Sequence, residues 1–169
     1  MKVADKRGVA SRKKTYKRKS RREYRVPGPN WLWSVDGHAK LNHAGIEIYG
    51  AIDTYSRCIV WIFVGLSACT QVSVARQFLR TVRSKNLYPK RIRSDRGSET
   101  AMLADAQYYL SKESRRRTED LTEEQAAALP LRECYIFGTS TSNVRIEAWW
   151  NELQKRCLFP WRVSQHNLS

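Results

Sequence analysis

The sequence has few features that would cross-link the chain. Its 169 residues contain four cysteines, and no two of them are spaced as zinc ligands or as an evident disulfide pair: Cys58, Cys69, Cys134 and Cys157. This spacing argues against a zinc knuckle and provides no disulfide framework. A reducing compartment is therefore the expected environment.

Long apolar runs are also missing. The longest, residues 58–66 with the sequence CIVWIFVGL, falls well short of the roughly 20 residues that span a bilayer. The N-terminus lacks the apolar region of a secretory signal. We expect a soluble, intracellular protein with no membrane partner. The length allows one compact domain with a tail, and no internal repeat is visible.

Acidic residues are scarce, since 16 Asp and Glu stand against 31 Lys and Arg, which gives a net charge of +15. Most of this excess lies in residues 1–25, where twelve basic residues stand against Asp5 and Glu23. Such a run cannot bury apolar surface and should be disordered when alone. It is typical of a phosphate-binding arm or a nuclear targeting signal, which would place the protein in the nucleus. A merely solvated tail is an equal alternative.

Pro27, Gly28 and Pro29 interrupt the chain directly after this basic stretch. We therefore predict a basic disordered tail at residues 1–26, one folded domain at residues 27–160 and a short C-terminal tail at residues 161–169.

The apolar periodicity predicts an α/β domain. Residues 31–40, 46–53 and 58–65 are typical of three successive antiparallel strands, and residues 70–85 of a helix. The strand after that helix, residues 91–95, should join the sheet in parallel through a crossover. The remaining predictions are a helix over 100–110, a capped helix over 122–129, a strand over 133–138, a polar loop over 139–143 and a helix over 144–157. A mixed sheet covered by helices is the packing that this order favours.

Two helical stripes are predicted to face the core. They are Val74, Ala75, Phe78, Leu79 and Val82 in the first helix, and Ile146, Trp149, Trp150, Leu153 and Cys157 in the last. The stretch that contains Arg115, Arg116 and Arg117 is predicted to be an exposed insertion.

Two acids occupy comparable places in this arrangement, Asp36 in the first strand and Asp95 at the end of the strand after the crossover. A third acid, Glu147, lies in the first turns of the last helix. Neighbouring carboxylates repel one another unless cations neutralise them. Hard oxygen ligands without His or Cys indicate Mg²⁺ or Mn²⁺. Composition alone does not select these three acids, because a strand-end acid, a helix cap and an early-helix Glu are all ordinary.

Four segments of the sequence, taken in order, resemble the conserved segments of a known protein family. They are PGPNWLWSVDGHAKL, YGAIDTYSR, RIRSDRGSET and FGTSTSNVRIEAWWNELQK, and they extend from about residue 27 to residue 155. Together they resemble the integrase-core family of eukaryotic mobile elements, relatives of the retroviral integrases with DDE-type chemistry and a ribonuclease H-like fold. The resemblance implies a five-stranded mixed sheet flanked by helices. It also implies that Asp36, Asp95 and Glu147 are catalytic and bind a pair of Mg²⁺ or Mn²⁺ ions.

The function that this resemblance implies is metal-dependent DNA strand cleavage and strand transfer, that is, DNA integration by an integrase or transposase core. DNA is the expected partner, and a homo-oligomer is a further expectation. An alternative is a catalytically inactive or truncated transposon-derived protein that only binds nucleic acid. A nuclease acting on RNA–DNA hybrids is a third hypothesis.

Some positions depart from the family pattern. Asp95 and Glu147 are 52 positions apart (147 − 95), more than in compact viral integrases, and Thr100 stands where the family often has Asn. A Thr and Ser run precedes Asn143, where a His is common. No zinc domain precedes the core, and 22 residues follow Glu147 (169 − 147), which raises the expectation of a fragment, a truncated element copy or a component that needs a partner.

Four further residues are predicted to contact nucleic acid: His38, Asn143, Asn151 and Lys155. His38 should share the face of its strand with Asp36, although a packed polar His is the ordinary alternative. Asn151 and Lys155 should share a helical face with Glu147, and a solvated helix surface is an equal alternative.

Two more acids receive lesser interpretations. Asp53, beside a turn, is predicted to be structural through an Asx-type hydrogen bond. Glu99, in the SDRGSET segment, is a minor site candidate.

Overall fold

The computed structural model describes residues 26–138 and 143–160. The predicted basic tail, apart from Val26, lies outside the described residues, as do residues 139–142 of the polar loop and the predicted tail at 161–169. Among the described residues, no helix combines the length and the apolar character that crossing a membrane requires.

Five strands form one mixed sheet in the order β3-β2-β1-β4-β5. Strands β1 to β3 form an antiparallel meander, β4 lies parallel to β1, and β5 lies parallel to β4. The bounds are β1 Leu32–His38, β2 Glu47–Asp53, β3 Ile59–Gly65, β4 Arg91–Ser94 and β5 Tyr135–Phe137. The predicted five-stranded mixed sheet and its parallel crossover are therefore confirmed.

The parallel pairing of β1 with β4 places two of the predicted acids side by side. Its ladder runs from Leu32 opposite Arg91 to Ser34 opposite Arg93. Asp36 and Asp95 each follow the last paired residue by two positions, so both lie at the carboxyl end of the ladder. The neighbouring strands of a sheet are about 4.8 Å apart, which makes close approach of these carboxylates a consequence of topology.

Helix α1, Gln71–Lys85, covers one face of the sheet. Thr70 caps its start by accepting a hydrogen bond from the Ser73 backbone N–H, and Asn86 ends it in the left-handed conformation. The predicted core positions Val74, Ala75 and Phe78 are buried, but Leu79 is 46 % exposed, so that part of the predicted stripe is wrong.

The buried face of α1 differs from the predicted apolar stripe because it includes a polar residue, Gln77. Gln77 accepts a hydrogen bond from the Trp61 indole at 3.1 Å and donates one to the Ala68 carbonyl at 2.9 Å. These bonds satisfy the Gln77 amide in the core. The helix therefore buries Gln77 and Thr81 rather than Leu79.

The arginine-rich stretch is not an insertion between elements, because helix α2, Ala101–Thr118, runs through it. Arg116 and Arg117 pair with Glu113 at distances of 2.8 and 2.7 Å, and Arg115 pairs with Glu119 at 3.0 Å. Such pairs, three or four positions apart, support a helix whose surface carries little apolar pattern. The capping box of Thr122 and Gln125 is confirmed at the start of helix α3, Glu123–Ala127.

The last helix, α4, spans Val144–Leu153 and continues as a π-helical turn at Gln154–Leu158. It covers the face of the sheet opposite α1 and α2, where Ile146 and Trp150 are buried against the sheet. Cys157 is exposed, so its predicted core position is wrong. The π-helical turn changes the rotation per residue and takes Cys157 off the apolar stripe.

Candidate active site

Asp36 lies on β1 beneath helix α4 and is the best-defined acid of the site. The indole N–H of Trp150 donates a hydrogen bond to its Oδ2 atom at 3.0 Å. Burial raises the pKa of Asp36 from 3.8 to about 7, and the negative charges of Asp95 and, more weakly, Glu147 act in the same direction. The hydrogen bonds from Trp150 and from the Gly37 backbone oppose this rise. Asp36 therefore experiences the charges of both other predicted acids.

A glycine makes room for the indole that holds Asp36. Gly50, the β2 residue paired with Asp36, has no side chain to separate the helix from the sheet. A Cβ atom at this position would lie 3.3 Å from the outer edge of the Trp150 ring and 3.1 Å from the Trp61 carbonyl oxygen. Close packing of α4 on the sheet thus depends on glycine at position 50.

Asp95 lies in the loop after β4, where several hydrogen bonds fix the chain. Its Oδ1 accepts from the Gly97 backbone N–H at 3.1 Å, and its carbonyl accepts from the Ser94 hydroxyl at 2.7 Å. Tyr135 on β5 donates its hydroxyl to Ser94 Oγ at 2.9 Å. The Asp95 carboxylate stabilises this local turn, while the position before α2 is occupied by Thr100. Neighbouring strand β5 therefore helps to set where Asp95 stands.

Glu147 lies in the first turn of α4 and is half-buried. Burial raises its pKa above the usual value. The start of the helix is tied to the sheet by Asn143, whose side-chain N–H donates to the Val35 carbonyl at 2.8 Å. Because Val35 precedes Asp36, this bond brings the helix that carries Glu147 next to the strand that carries Asp36.

The residues predicted to contact nucleic acid differ in their surroundings. His38 is only 7 % exposed and stacks on Trp150 with the ring centroids 5.0 Å apart. Burial, with a smaller effect of Lys40, lowers its pKa. Its Nε2 atom is buried and, among the described residues, has no hydrogen-bond partner. Asn143 is buried at the helix start. Both therefore lie beside Asp36 in the protein interior, and their contact with nucleic acid stays a prediction.

Asn151 and Lys155 are exposed on and after α4. The regular helix ends before Lys155, which lies in the π-helical turn with its Nζ atom 3.9 Å from Glu152 Oε1. Lys155 thus stands near an acid of its own helix rather than at the regular spacing that would align it with Glu147. Both residues remain available to solvent for the predicted contact.

The sequence analysis assigns no role in the site to two aromatic residues, Trp150 and Tyr49. Trp150 was predicted only as a core residue, although its position three residues after Glu147 places both on one side of the helix. Tyr49 is fully buried, and its hydroxyl has no partner among the described residues. Burial raises its pKa well above the usual value, with additional effects from Tyr135, Glu99, Asp36 and Asp95. Tyr49 is therefore a buried residue of the core on the α1 face of the sheet, and the charges of the acidic end act on its hydroxyl.

The structure also shows the surroundings of Asp53 and Glu99, the two acids with lesser predicted roles. The Asp53 carboxylate accepts hydrogen bonds from the backbone N–H groups of Asn30 and Ser56, at 3.2 and 3.1 Å, which confirms its structural role. The Glu99 carboxylate folds back over Gly97, in space that any side chain at position 97 would fill. Its charge acts on Tyr49 and Tyr135, so Glu99 belongs to the same acidic end as Asp95.

Three carboxylates of this kind suit a divalent cation in donor type, because Mg²⁺ and Mn²⁺ prefer hard oxygen ligands. Burial and, after it, the negative charge of Asp95 raise the pKa of Asp36, and a cation would oppose both effects by stabilising the carboxylate. Across residues 26–138 and 143–160, however, no three His, Cys, Asp or Glu side chains are already gathered as a ligand set. One oxygen of Asp36 is instead bonded to the Trp150 indole. The residues fit a divalent cation in charge and in donor type.

A family model described as Integrase core domain matches residues 23–168. No curated protein sequence matches the chain. The matched range includes every element described above and all three predicted acids.

Proposed function

The chain belongs to the integrase core domain family, and we propose that it catalyses DNA strand cleavage and strand transfer as a DDE-type polynucleotidyl transferase. Its five-stranded mixed sheet with flanking helices is the ribonuclease H-like arrangement of such cores. Asp36, Asp95 and Glu147 are the proposed catalytic and metal-binding residues. A mobile element is the proposed origin of the chain, and the nucleus its proposed location.

The observation that carries this proposal is geometric: Asp36 and Asp95 lie at the carboxyl end of the paired strands β1 and β4, and Asn143 ties the start of the helix that carries Glu147 to β1. The three residues come from a strand, a loop and a helix that are far apart in sequence. The negative charges of Asp95 and, more weakly, Glu147 act on Asp36, which supports the proposal. An ordinary surface acid experiences no such accumulation of negative charge. A carboxylate with a strongly perturbed pKa, such as that of Asp36, is a common sign of a functional site.

Asp36, Asp95 and Glu147 would hold a pair of Mg²⁺ or Mn²⁺ ions, which would supply charge neutralisation at the scissile phosphate and activation of a water or a 3′ hydroxyl for in-line attack. The protein positions the three carboxylates. Trp150 orients Asp36, the turn at Gly97 orients Asp95, and the bond from Asn143 to β1 sets the helix that carries Glu147. Cleavage breaks one phosphodiester bond, and strand transfer exchanges one for another, so no covalent protein intermediate is required.

The charge of the chain favours a polyanionic partner, since the net charge is +15. We propose DNA as that partner, with phosphates attracted by the basic N-terminal residues and by exposed groups such as Lys155. Binding of this type weakens steeply as salt rises, because counterions are released when phosphates are neutralised.

One observation favours a second candidate, a protein that binds nucleic acid without cutting it. The acids of the described residues are not arranged as a ready ligand set, and Asp36 is engaged by an indole. A chain that had lost catalysis would keep the fold and the basic charge while its carboxylates made internal bonds. The two candidates share DNA binding and differ in metal-dependent cleavage.

The experiment that separates them is nicking of supercoiled plasmid by the purified chain with Mg²⁺ or Mn²⁺, beside an Asp95→Asn variant. Asn at position 95 can still accept the Gly97 hydrogen bond, so the turn is kept. We expect nicking and strand joining by the natural chain and a loss of about 100-fold or more in the variant. Equal activity of both proteins refutes the assigned role of Asp95. Salt-sensitive binding by both without nicking establishes the second candidate.

A further inference from the structure

Helix α1 and the segments that flank it contain no acidic residue. Between Asp53 and Asp95 the sequence has eight Lys and Arg but no Asp or Glu. Three of these basic residues are exposed on the outer side of α1: Arg76, Arg80 and Arg83. Among the described residues, none of the three forms an ion pair or a side-chain hydrogen bond. Their charges are therefore available to a partner.

Arg76, Arg80 and Arg83 form one row along α1, here called the arginine row. Their spacing of four and then three positions places them within about 60° of one another around the helix axis and spreads them over about 10 Å of its length. Val74 and Phe78, on the other side of α1, are buried against the sheet. The arginine row therefore points away from the core, into solvent.

Several basic residues outside α1 have acidic partners close in sequence. On α2, Arg116 and Arg117 pair with Glu113. In the turn after α4, Arg156 pairs with Glu152 at 3.0 Å. Arginines three or four positions apart on one helix repel each other, and α1 has no acid that would offset this repulsion. A polyanion bound along the arginine row would relieve it.

We infer that the arginine row binds the phosphate backbone of a DNA segment other than the one that reaches the proposed active site. Guanidinium groups bind phosphate oxygens through paired hydrogen bonds. The phosphates of one duplex strand follow one another at about 3.4 Å of axial rise, so the row covers about three of them. The inference rests on the proposed function for DNA as the partner.

The arginine row and Asp36 lie on opposite faces of the sheet. Helix α1 covers one face, whereas Asp36 lies beneath α4 on the other. A duplex that approaches Asp36 from the α4 side is therefore separated from the row by the sheet and by α1 itself. Strand transfer joins two DNA segments, and the row would hold one of them while the acids act on the other.

An open cleft extends the positive surface beyond the C-terminal end of α1. Its volume is about 640 Å³, and its lining includes Arg83, the last arginine of the row, and Lys90, just before β4. None of the described residues that line this cleft is acidic. Phosphates that follow the arginine row can therefore continue towards Lys90.

An acidic peptide is the other polyanion that the arginine row would attract. Interfaces between proteins have an apolar core, whereas interfaces with DNA are more polar and more positively charged. Val72 and Leu79 are the large apolar residues exposed on α1, and Arg76 lies between them. They form no continuous apolar patch, so the composition of this surface favours DNA.

The first test measures binding of the full chain to a labelled duplex by fluorescence anisotropy over a range of salt, in a chelator. The row variant carries Arg76→Gln, Arg80→Gln and Arg83→Gln. The control variant loses the same charge at paired positions: Arg116→Gln, Arg117→Gln and Arg156→Gln. We expect the slope of log K against log salt to fall in magnitude by about 2–3 in the row variant and by less than about 1 in the control, since each phosphate contact contributes about 0.9.

Equal slopes for the natural chain and the row variant would overturn the inference and leave DNA as the partner. If the natural chain bound no DNA, the inference and the proposed function would both fail. An unchanged DNA slope, with binding of polyglutamate lost in the row variant alone, would assign the row to an acidic peptide. The chelator prevents cleavage, so failure of the proposed catalysis leaves this result independent.

A cross-linking measurement tests the second DNA segment and does not depend on folding of the row variant. Cys58 and Cys157 are exposed and are first replaced by Ser. The chain is loaded on a bead-bound duplex and offered a second, labelled duplex. A photoreactive group on Leu79→Cys, which keeps all three arginines, should cross-link the labelled duplex. The same group on Tyr109→Cys, at a 67 % exposed position of α2, should not. Equal or reversed yields would overturn the inference.

Discussion

Trp150 donates its indole N–H to the Asp36 carboxylate at 3.0 Å, although 114 positions separate the two residues in sequence. One face of the same indole stacks on His38, and the ring edge approaches Gly50. The helix that carries Glu147 therefore also fixes the side chain of Asp36. Two of the three proposed catalytic acids are held in relation to each other by a single aromatic residue.

Replacement of Trp150 by Phe tests this relation. The variant keeps a ring on His38 but removes the donor to Asp36, so we expect a loss of about 1–3 kcal/mol in the free energy of unfolding, as for a hydrogen bond to a charged group. Plasmid nicking should fall more than binding. Trp149→Phe is the control, because Trp149 contacts Trp150 and, among the described residues, makes no hydrogen bond to an acid. Equal effects of the two substitutions in urea unfolding would contradict the role of the bond.

The raised pKa of Asp36 predicts a pH-dependent stability of the metal-free protein. The folded state holds the Asp36 proton up to a pH of about 7, whereas the unfolded chain releases it near the ordinary value of 3.8. Between these values the folded state binds more protons, so stability falls as pH rises from about 4 to 7. Asp36→Asn removes the charge and should stabilise the protein at pH 8 by about 1–4 kcal/mol, with little effect at pH 4.

Thermal unfolding in a chelator checks this prediction. Asp105→Asn, at an exposed position of α2, is the control for removing a negative charge from a basic protein. The interpretation of Asp36 fails if Asp36→Asn is no more stable than the natural chain at pH 8, or if Asp105→Asn gains as much.

The strands and the helix starts could be predicted because their signals are local, whereas the choice of Asp36, Asp95 and Glu147 depends on the resemblance of four ordered segments. Alternating apolar residues mark β1 to β3, Thr70 and Thr122 mark helix starts, and the topology of a parallel crossover puts Asp36 and Asp95 at one end of the sheet. These signals depend on backbone geometry and on hydrogen bonds between residues close in sequence.

What the sequence could not reveal depends on contacts between distant elements. The burial of Gln77 instead of Leu79 follows from bonds to Trp61 and Ala68 that exist only in the folded chain. The bond from Trp150 to Asp36 has the same origin. The second half of α2 has no apolar stripe from which a helix could be predicted, because its surface residues form ion pairs with Glu113 and Glu119.

Asn143 offers a test of how α4 is attached to the sheet. Its amide donates to the Val35 carbonyl at 2.8 Å in a buried position, and truncation to Ala would leave that carbonyl without its partner. We expect Asn143→Ala to lower the free energy of unfolding by about 1–3 kcal/mol. Asn151→Ala, an exposed change on the same helix, should cost less than about 0.5 kcal/mol. Urea unfolding that ranks the two in the opposite order would show that the helix is held by other contacts.

Metal binding supplies the most direct test of the three acids, because it needs no DNA. A divalent ion that binds only the folded state raises stability by roughly 2–3 kcal/mol when its free concentration is about 100 times Kd. Mn²⁺ or Mg²⁺ should therefore raise the midpoint of thermal unfolding at pH 8, where Asp36 is ionised, and the gain should disappear in Asp95→Asn and in Glu147→Gln. Asp105→Asn should keep it. If all four proteins gained equally, the ion would be bound elsewhere, and the three carboxylates would owe their proximity to the fold alone.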